Sequence, residues 1–236
     1  MVDQDLRPFF AAASAGLTFN APLGEARAAD LVRRLAPDGP HWRALDLGCG
    51  NGELLLRLCH AHGIDGDGVE REAADGERVR RRAAELGIAD RVGFHAADAT
   101  TWDRPAELVV NVGASHIWGG TEQALAALRP LTAPGGKLLF GEGFYRTEPT
   151  AQVREIFGDM TDLASLARLA VAAGFRTTHV AESTLGEWDD FESDWRAGIE
   201  ALGTPHARAF ADRRRDEYLG GYRGTLGFAW LVLTAA

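Results

Sequence analysis

The chain has 236 residues, 46% hydrophobic and 25% charged, enough for one large α/β domain and short for two. Its 25 Lys and Arg against 34 Asp and Glu give a formal charge of −9, which argues against a broad nucleic-acid-binding surface. Two cysteines, Cys49 and Cys59, support neither a disulfide framework nor a zinc site. With acids near the amino terminus and no apolar run of membrane-spanning length, the expectation is a cytoplasmic protein without a membrane partner.

Residues 1–40 are expected to form a helical cap. Within it Leu23, Ala26, Ala29, Leu31, Val32 and Leu35 space an amphipathic helix over about 22–36, stopped by Pro37 and Pro40. Residues 43–47 read as a strand that ends in a glycine turn, with a helix behind it over 52–61. A turn from Gly63 to Asp67 leads into the strand end Gly68-Val69-Glu70. The arginine-rich stretch 73–86 reads as an exposed-faced helix closed by Gly87, and residues 91–95 as a third strand running to Asp98 and Ala99. Leu108–Val112 is the fourth strand, opening into the loop Gly113–Gly120.

A helix over 121–129 is expected to stop at Pro130. Pro134-Gly-Gly-Lys137 then turns into a fifth strand over 138–142. Asp162–Ala173 reads as a capped amphipathic helix, Thr177–Glu182 as a strand and residues 228–234 as the last strand. Between these two strands, residues 186–222 carry Trp188, Phe191, Trp195, Phe210, Tyr218 and Tyr222 among many charges, the pattern of two inserted helices. The alternation predicts a doubly wound, seven-stranded, mainly parallel sheet in one domain over 1–236, with 186–222 as a helical insertion.

The most informative stretch is Ala44-Leu-Asp-Leu-Gly-Cys-Gly-Asn-Gly-Glu53. A strand, a glycine turn and a helix bring bare backbone against a ligand at the carboxyl end of a sheet. A dinucleotide site more often shows Gly-x-Gly-x-x-Gly, and here the third glycine comes one residue early. The stretch resembles the first motif of class I S-adenosylmethionine-dependent methyltransferases. Three further features follow in that family's order. Glu70 ends strand two, where the family sets an acid against the ribose hydroxyls. Asp98 ends strand three, where its acid meets the adenine amino group. The turn Pro134–Lys137 precedes strand five.

The resemblance covers about residues 22–180, and the loops Gly113–Gly120 and Gly141–Tyr145 are similar to a bacterial small-molecule branch. It implies an antiparallel last strand and S-adenosylmethionine as cofactor. The cofactor-binding residues it implies are Asp46, Gly48, Cys49, Gly50, Asn51, Gly52, Glu70, Asp98, Ala99 and Asn111, and Trp102 is a candidate cover for the adenine.

Methyl transfer from such a cofactor asks mainly for a positioned nucleophile, with a base where a proton must leave early. His116, in the loop after strand four, is the candidate base. Glu142 and Tyr145 are further catalytic candidates at the end of strand five. No carboxylate stands between Asn111 and Gly120, so no metal site is expected. Asn111 is followed by Val-Gly rather than the Pro-Pro of nucleobase methyltransferases, and a small-molecule substrate is expected instead.

Trp118, Trp188, Trp195, Tyr218 and Tyr222, with Arg196, His206 and Arg223, are candidate substrate contacts, and the insertion a lid. Phe9, Phe10, Phe19 and Asn20 would close the pocket from the other side. The same aromatics read equally well as packing, or as the interface of a homodimer. The functional expectation is methyl transfer to an O, N or C nucleophile of a small molecule. The alternatives are transfer or cyclisation of the cofactor's aminocarboxypropyl arm, releasing methylthioadenosine, and a non-catalytic cofactor-binding partner protein.

Overall fold

Strands that are apolar on both faces must be covered by helices on both, and this chain supplies the helices in alternation. The computed structural model describes residues 6–71 and 76–236. Helices α1 (Arg7–Ala15) and α2 (Glu25–Arg34) precede β1 (Arg43–Leu47), α3 (Glu53–His62), β2 (Asp65–Glu70), α4 (Gly76–Glu85), β3 (Val92–Ala96) and β4 (Ala106–Val112). Then come α5 (Thr121–Leu131), β5 (Thr132–Tyr145), α6 (Ala151–Phe157), α7 (Leu163–Ala172) and β6 (Phe175–Glu182). The inserted helices α8 (Leu185–Glu200) and α9 (Pro205–Glu217) lead through a π-turn at Tyr218–Tyr222 to β7 (Leu226–Ala235). The acidic start of the chain and residues 73–75 of the expected arginine-rich helix lie outside the described residues.

The sheet order is β3-β2-β1-β4-β5-β7-β6. β7 runs antiparallel to both of its neighbours, and the other pairs are parallel. The order reverses between β1 and β4, which opens a crevice beyond their carboxyl ends, where doubly wound sheets bind ligands. One core lies under α2, α3 and the lid, with Leu31, Leu55, Val110 and Trp230 fully enclosed. The other lies under α5 and α7, around Leu47, Leu125 and Phe140.

Three local expectations are corrected, and one helix is added. Gly63–Asp67 is not all turn: β2 begins at Asp65, paired on both sides by β1 and β3. Gly66 is there because a Cβ would come within 2.6 Å of Cys59 Sγ and 2.8 Å of Leu55 Cδ1. Pro130 does not end α5, which continues to buried Leu131. So near the carboxyl end, proline forfeits little of the helix ladder, and the Thr132 hydroxyl donates to Leu128 O at 2.9 Å. The stretch Pro134–Lys137 lies within the 14-residue β5, where Gly135 takes φ 72° and the register against β4 shifts. Helix α6 was not anticipated; it starts at Thr150, whose side chain accepts from Val153 N–H.

The helical insertion is fastened to the amino-terminal residues. Ala13 and Leu17 pack with Trp195, Ile199, Ala207 and Ala211 in a third apolar cluster. A Cβ at Gly198 would overlap the Ala12 carbonyl oxygen, so only glycine lets α8 cross α1 this closely. Thr184 and Glu187 form a capping box at the start of α8, and Glu187 also pairs with Arg27 at 2.9 Å.

Candidate active site

The crevice holds a cavity of about 470 Å³, within the usual range for small-ligand sites. Asp46, Gly48, Cys49, Gly50, Asn51, Glu70, Asp98, Ala99 and His116 line it, as do Phe19 and Asn20 of the cap. Residues that sequence reasoning did not single out complete the wall, among them Leu23, Arg71, Val112, Ala114 and Ile117. Arg71 carried a signal in its position next to Glu70. The apolar wall residues carried none, because nothing local tells a lining valine from a core one.

Gly48, Gly50 and Gly52 take φ of 77°, 50° and 69°, the left-handed region where a side chain is strained. A Cβ on Gly48 would come within 2.6 Å of Ala114 Cβ, so the loops after β1 and β4 lie directly against each other. A Cβ on Gly50 would meet nothing within 4 Å. The space its missing side chain leaves belongs to the cavity, so Gly50 is a cradle rather than a packing contact.

The acids differ in state. Asp46 is 4% exposed, and its carboxyl is pushed up to about 8, first by burial and then by the charge of Glu70. Glu70 accepts from Gly50 N–H at 3.1 Å through Oε2 and from Arg71 N–H at 2.8 Å through Oε1. Asp98 caps the turn after β3, accepting from Thr100 N–H at 2.9 Å and pairing with Arg71 at 2.9 Å. The Thr100 hydrogen bonds, then Arg71, hold it below the usual carboxylate range. The cavity therefore carries excess negative charge, and its one arginine is already engaged with Asp98. It is built for a cation.

Two expected cofactor contacts stand behind the wall. A Cβ on Gly52 would lie 2.8 Å from Phe94, so this glycine serves packing against β3. Asn111 is fully buried and donates from Nδ2 to Leu47 O at 2.9 Å. It ties β4 to β1 just beyond their last ladder pair, Asp46 with Val110. Trp102 does not reach the cavity either: it stacks against His95 at 4.9 Å, lies under Arg104 and donates to Arg104 O.

At the reacting end His116 is exposed on the cavity wall. Glu142 lies behind this loop, accepting from Gly143 N–H at 3.1 Å, while its Oε2 is buried without a partner. Burial pushes its carboxyl up, against the pull of the Ser115 side chain, the Gly143 N–H and His116. The Tyr145 hydroxyl is committed to Gly158 O at 2.7 Å, which places it in the core rather than in the site. Trp118 packs on the α5 core.

The lid aromatics are likewise corrected. Trp188, Trp195, Tyr218 and Tyr222 are buried within this one chain and do not line the cavity, which leaves them unavailable to an acceptor or to a second subunit. Tyr222 donates to Glu192 at 2.8 Å and Tyr218 to Asp189 at 2.6 Å. Arg223 also pairs with Asp189, while Arg196 bonds back to Glu192 O within its own helix. Phe9 packs on His206 and Phe210, and Phe10 on Trp195.

A methyltransferase-domain family matches residues 44–136, the span from the glycine loop through the turn before β5. YjhP of Escherichia coli, an uncharacterized protein, is 33% identical over 180 residues, 73% of this chain and 72% of YjhP. The chain belongs to the S-adenosylmethionine-dependent methyltransferases. The crystal structure of YjhP superposes with a TM-score of 0.87 at 27% identity, over 97% of this chain and 99% of YjhP. A methyltransferase from Geobacter sulfurreducens, solved with S-adenosyl-L-homocysteine, superposes with a TM-score of 0.86 at 26% identity over the whole of both chains. The 27-O-demethylrifamycin SV methyltransferase of Amycolatopsis mediterranei is 30% identical over 162 residues, 62% of this chain and 58% of that enzyme.

The cofactor of this methyltransferase is S-adenosylmethionine, whose ammonium and sulfonium are the cations the cavity lacks. A positive group beside Asp46 offsets both causes that raise its carboxyl, so the residues present fit the cofactor.

Proposed function

We propose that this methyltransferase acts on a hydroxyl of a small, uncharged and largely apolar molecule. The observation that carries this reading is the division of charge around the cavity. Asp46, Glu70 and Asp98 gather at the end assigned to the cofactor, whereas Phe19, Leu23, Val112, Ala114 and Ile117 offer the acceptor no charge. Asn20, His116 and Glu53 are the polar side chains left among them, and the Glu53 carboxylate is already paired with Arg57 at 2.7 Å and Arg82 at 3.4 Å. A phosphate or carboxylate on the acceptor would meet no free cation among the described residues there and would be repelled by the acids. The 27-O-methyl specificity in the name of the rifamycin relative points in the same direction.

In this reading Asp46 and the backbone of Gly48 and Gly50 hold the amino-acid end of the cofactor, Glu70 the ribose and Asp98 the adenine. When bound, S-adenosylmethionine supplies an electrophilic methyl group. His116 takes the proton from the acceptor hydroxyl at an imidazole nitrogen, and the apolar walls exclude water from the nucleophile. Glu142, behind the loop, holds His116 in orientation.

The test is mass spectrometry of the protein with S-adenosylmethionine and a panel of phenols and alcohols, set against carboxylates, amines and phosphate esters. S-adenosylhomocysteine formed with uncharged hydroxyl compounds, and an About 10²-fold lower kcat in His116→Ala, are expected. Turnover confined to the charged panel would overturn the acceptor class. Methylthioadenosine above its spontaneous rate would replace methyl transfer with chemistry on the aminocarboxypropyl arm.

A further inference from the structure

We propose that Arg78 is a positioning residue for the acceptor side of the site. With Asn51 it ties residues 17–24 to the glycine loop and to α4 beside it, so that filling the cofactor site fixes the wall that meets the acceptor. That this wall meets the acceptor rests on the function proposed above; its coupling to the cofactor does not.

Residues 17–24 form neither helix nor strand, so their carbonyls must find partners elsewhere. Arg78 donates to Ala15 O at 2.7 Å and to Leu17 O at 2.8 Å. Asn51 Nδ2 donates to Leu17 O at 3.0 Å and to Thr18 O at 2.8 Å. Two of these four bonds come from the glycine loop that lines the cavity, and two from α4. Asn51 stands between Gly50 and Gly52, so its direction follows the conformation of the glycine loop. Arg78 lies in the first turns of α4, the helix that follows Glu70 in the chain.

The far end of the segment is pinned differently. Ser183 donates to Pro22 O at 2.5 Å, and Gly24 N–H donates to Glu187 at 3.1 Å. Both anchors belong to the start of the lid and touch nothing in the cofactor cavity. Between the two ends, Phe19, Asn20, Ala21 and Leu23 face the cavity, and the Arg57 guanidinium lies 4.8 Å from the Phe19 ring. One end of this wall is thus fixed by scaffold and the other by the cofactor loop. A ligand that orders the loop orders the wall, and by linkage the wall strengthens the ligand.

Hydrogen exchange on the full chain, with and without S-adenosylhomocysteine, tests this in the native protein, Arg78→Met and Arg78→Lys. In the native protein the ligand should slow exchange of residues 17–24 about tenfold or more. Arg78→Met should lose most of that ligand-dependent protection and bind the ligand about fivefold more weakly. Arg78→Lys keeps the charge but not the fork, and should fall between the two. Unchanged protection of β4 and β5 would show that both variants are folded. Ligand binding that leaves residues 17–24 exchanging as before, or a ligand effect intact in Arg78→Met, would overturn the proposal while leaving the acceptor class untouched. Failure to bind S-adenosylhomocysteine at all would sink the coupling as well.

Discussion

Asp46 and Glu192 are both buried acids, and they sit in opposite environments. Glu192, in the lid, is fully enclosed, yet Arg214 grips both of its oxygens at 2.8 and 3.0 Å and Tyr222 adds a third donor. Asp189 nearby is held down to about 2 by Arg223 and Tyr218. Asp46 has no cation beside it among the described residues, and the charge of Glu70 disfavours its ionisation further. The insertion has paired these acids with cations and works as scaffold. The glycine-loop end has left an acid without a counter-charge, ready to ionise when a cationic ligand arrives.

The largest effect that would test this contrast is Asp46→Asn. S-adenosylhomocysteine affinity should fall about a hundredfold or more, measured by calorimetry, since a charge-assisted contact is removed from a buried site. The ligand-free protein should respond in the opposite sense. The Asp46 carboxyl is raised in the fold, from 3.8 to about 8, so the native state holds a proton that the unfolded chain releases. Stability is therefore full below the unfolded value and declines as pH rises through this window, by at most about 6 kcal/mol. Asp46→Asn should flatten that decline in denaturation curves taken between pH 5 and 8, and a decline that persists would break the comparison.

Glu192→Ala should cost about 3–5 kcal/mol in urea unfolding, because it strands the Arg214 guanidinium, which is largely buried. Where the variant is folded, ligand affinity should stay within about threefold of native, because the lid triad lies outside the cavity wall. A large affinity loss at native-like stability would make the lid part of the site. Gly50→Ala sharpens the cradle argument: the left-handed backbone should cost about 1 kcal/mol of stability, while the intruding methyl weakens ligand binding about tenfold or more. Equal loss of binding and stability would show packing instead. The smallest effect is expected for Tyr218→Phe, which forfeits one hydrogen bond to Asp189, about 1 kcal/mol of stability, and no affinity.

The same contrast explains which parts could be read from sequence. The glycine loop is local: three glycines at alternate positions after a strand force a left-handed turn wherever the strand ends. Glu70 and Asp98 follow from counting strands, because Glu70 ends β2 and Asp98 caps the turn just after β3. His116 was legible because the loop after β4 opens on the crevice. Asn111 was misplaced because its residue type suits a ligand contact, and only the β1–β4 splay shows that its amide is needed to bridge them. Trp188, Trp195, Tyr218 and Tyr222 were misplaced for a similar reason. An aromatic helix face looks the same whether it covers a ligand or its own core, and here α1 and α9 take up Trp195 while the core around Val153 and Trp230 takes up the other three.

By itself, then, the sequence determined the alternation of strands and helices, the glycine turn and the acids at the strand ends, all features whose causes lie within a few residues. Tertiary structure decided β2's early start, the strand through Pro134, the fate of the lid aromatics and the raised carboxyl of Asp46. Each of these depends on partners distant in the chain: β1 and β3 flanking Gly66, Ala106 of β4 pairing with Thr132 at the start of β5, α1 against α8, and Glu70 brought beside Asp46 by the parallel pairing of β1 with β2. Local periodicity records which face of an element is apolar, and only the packed fold decides what that face will meet.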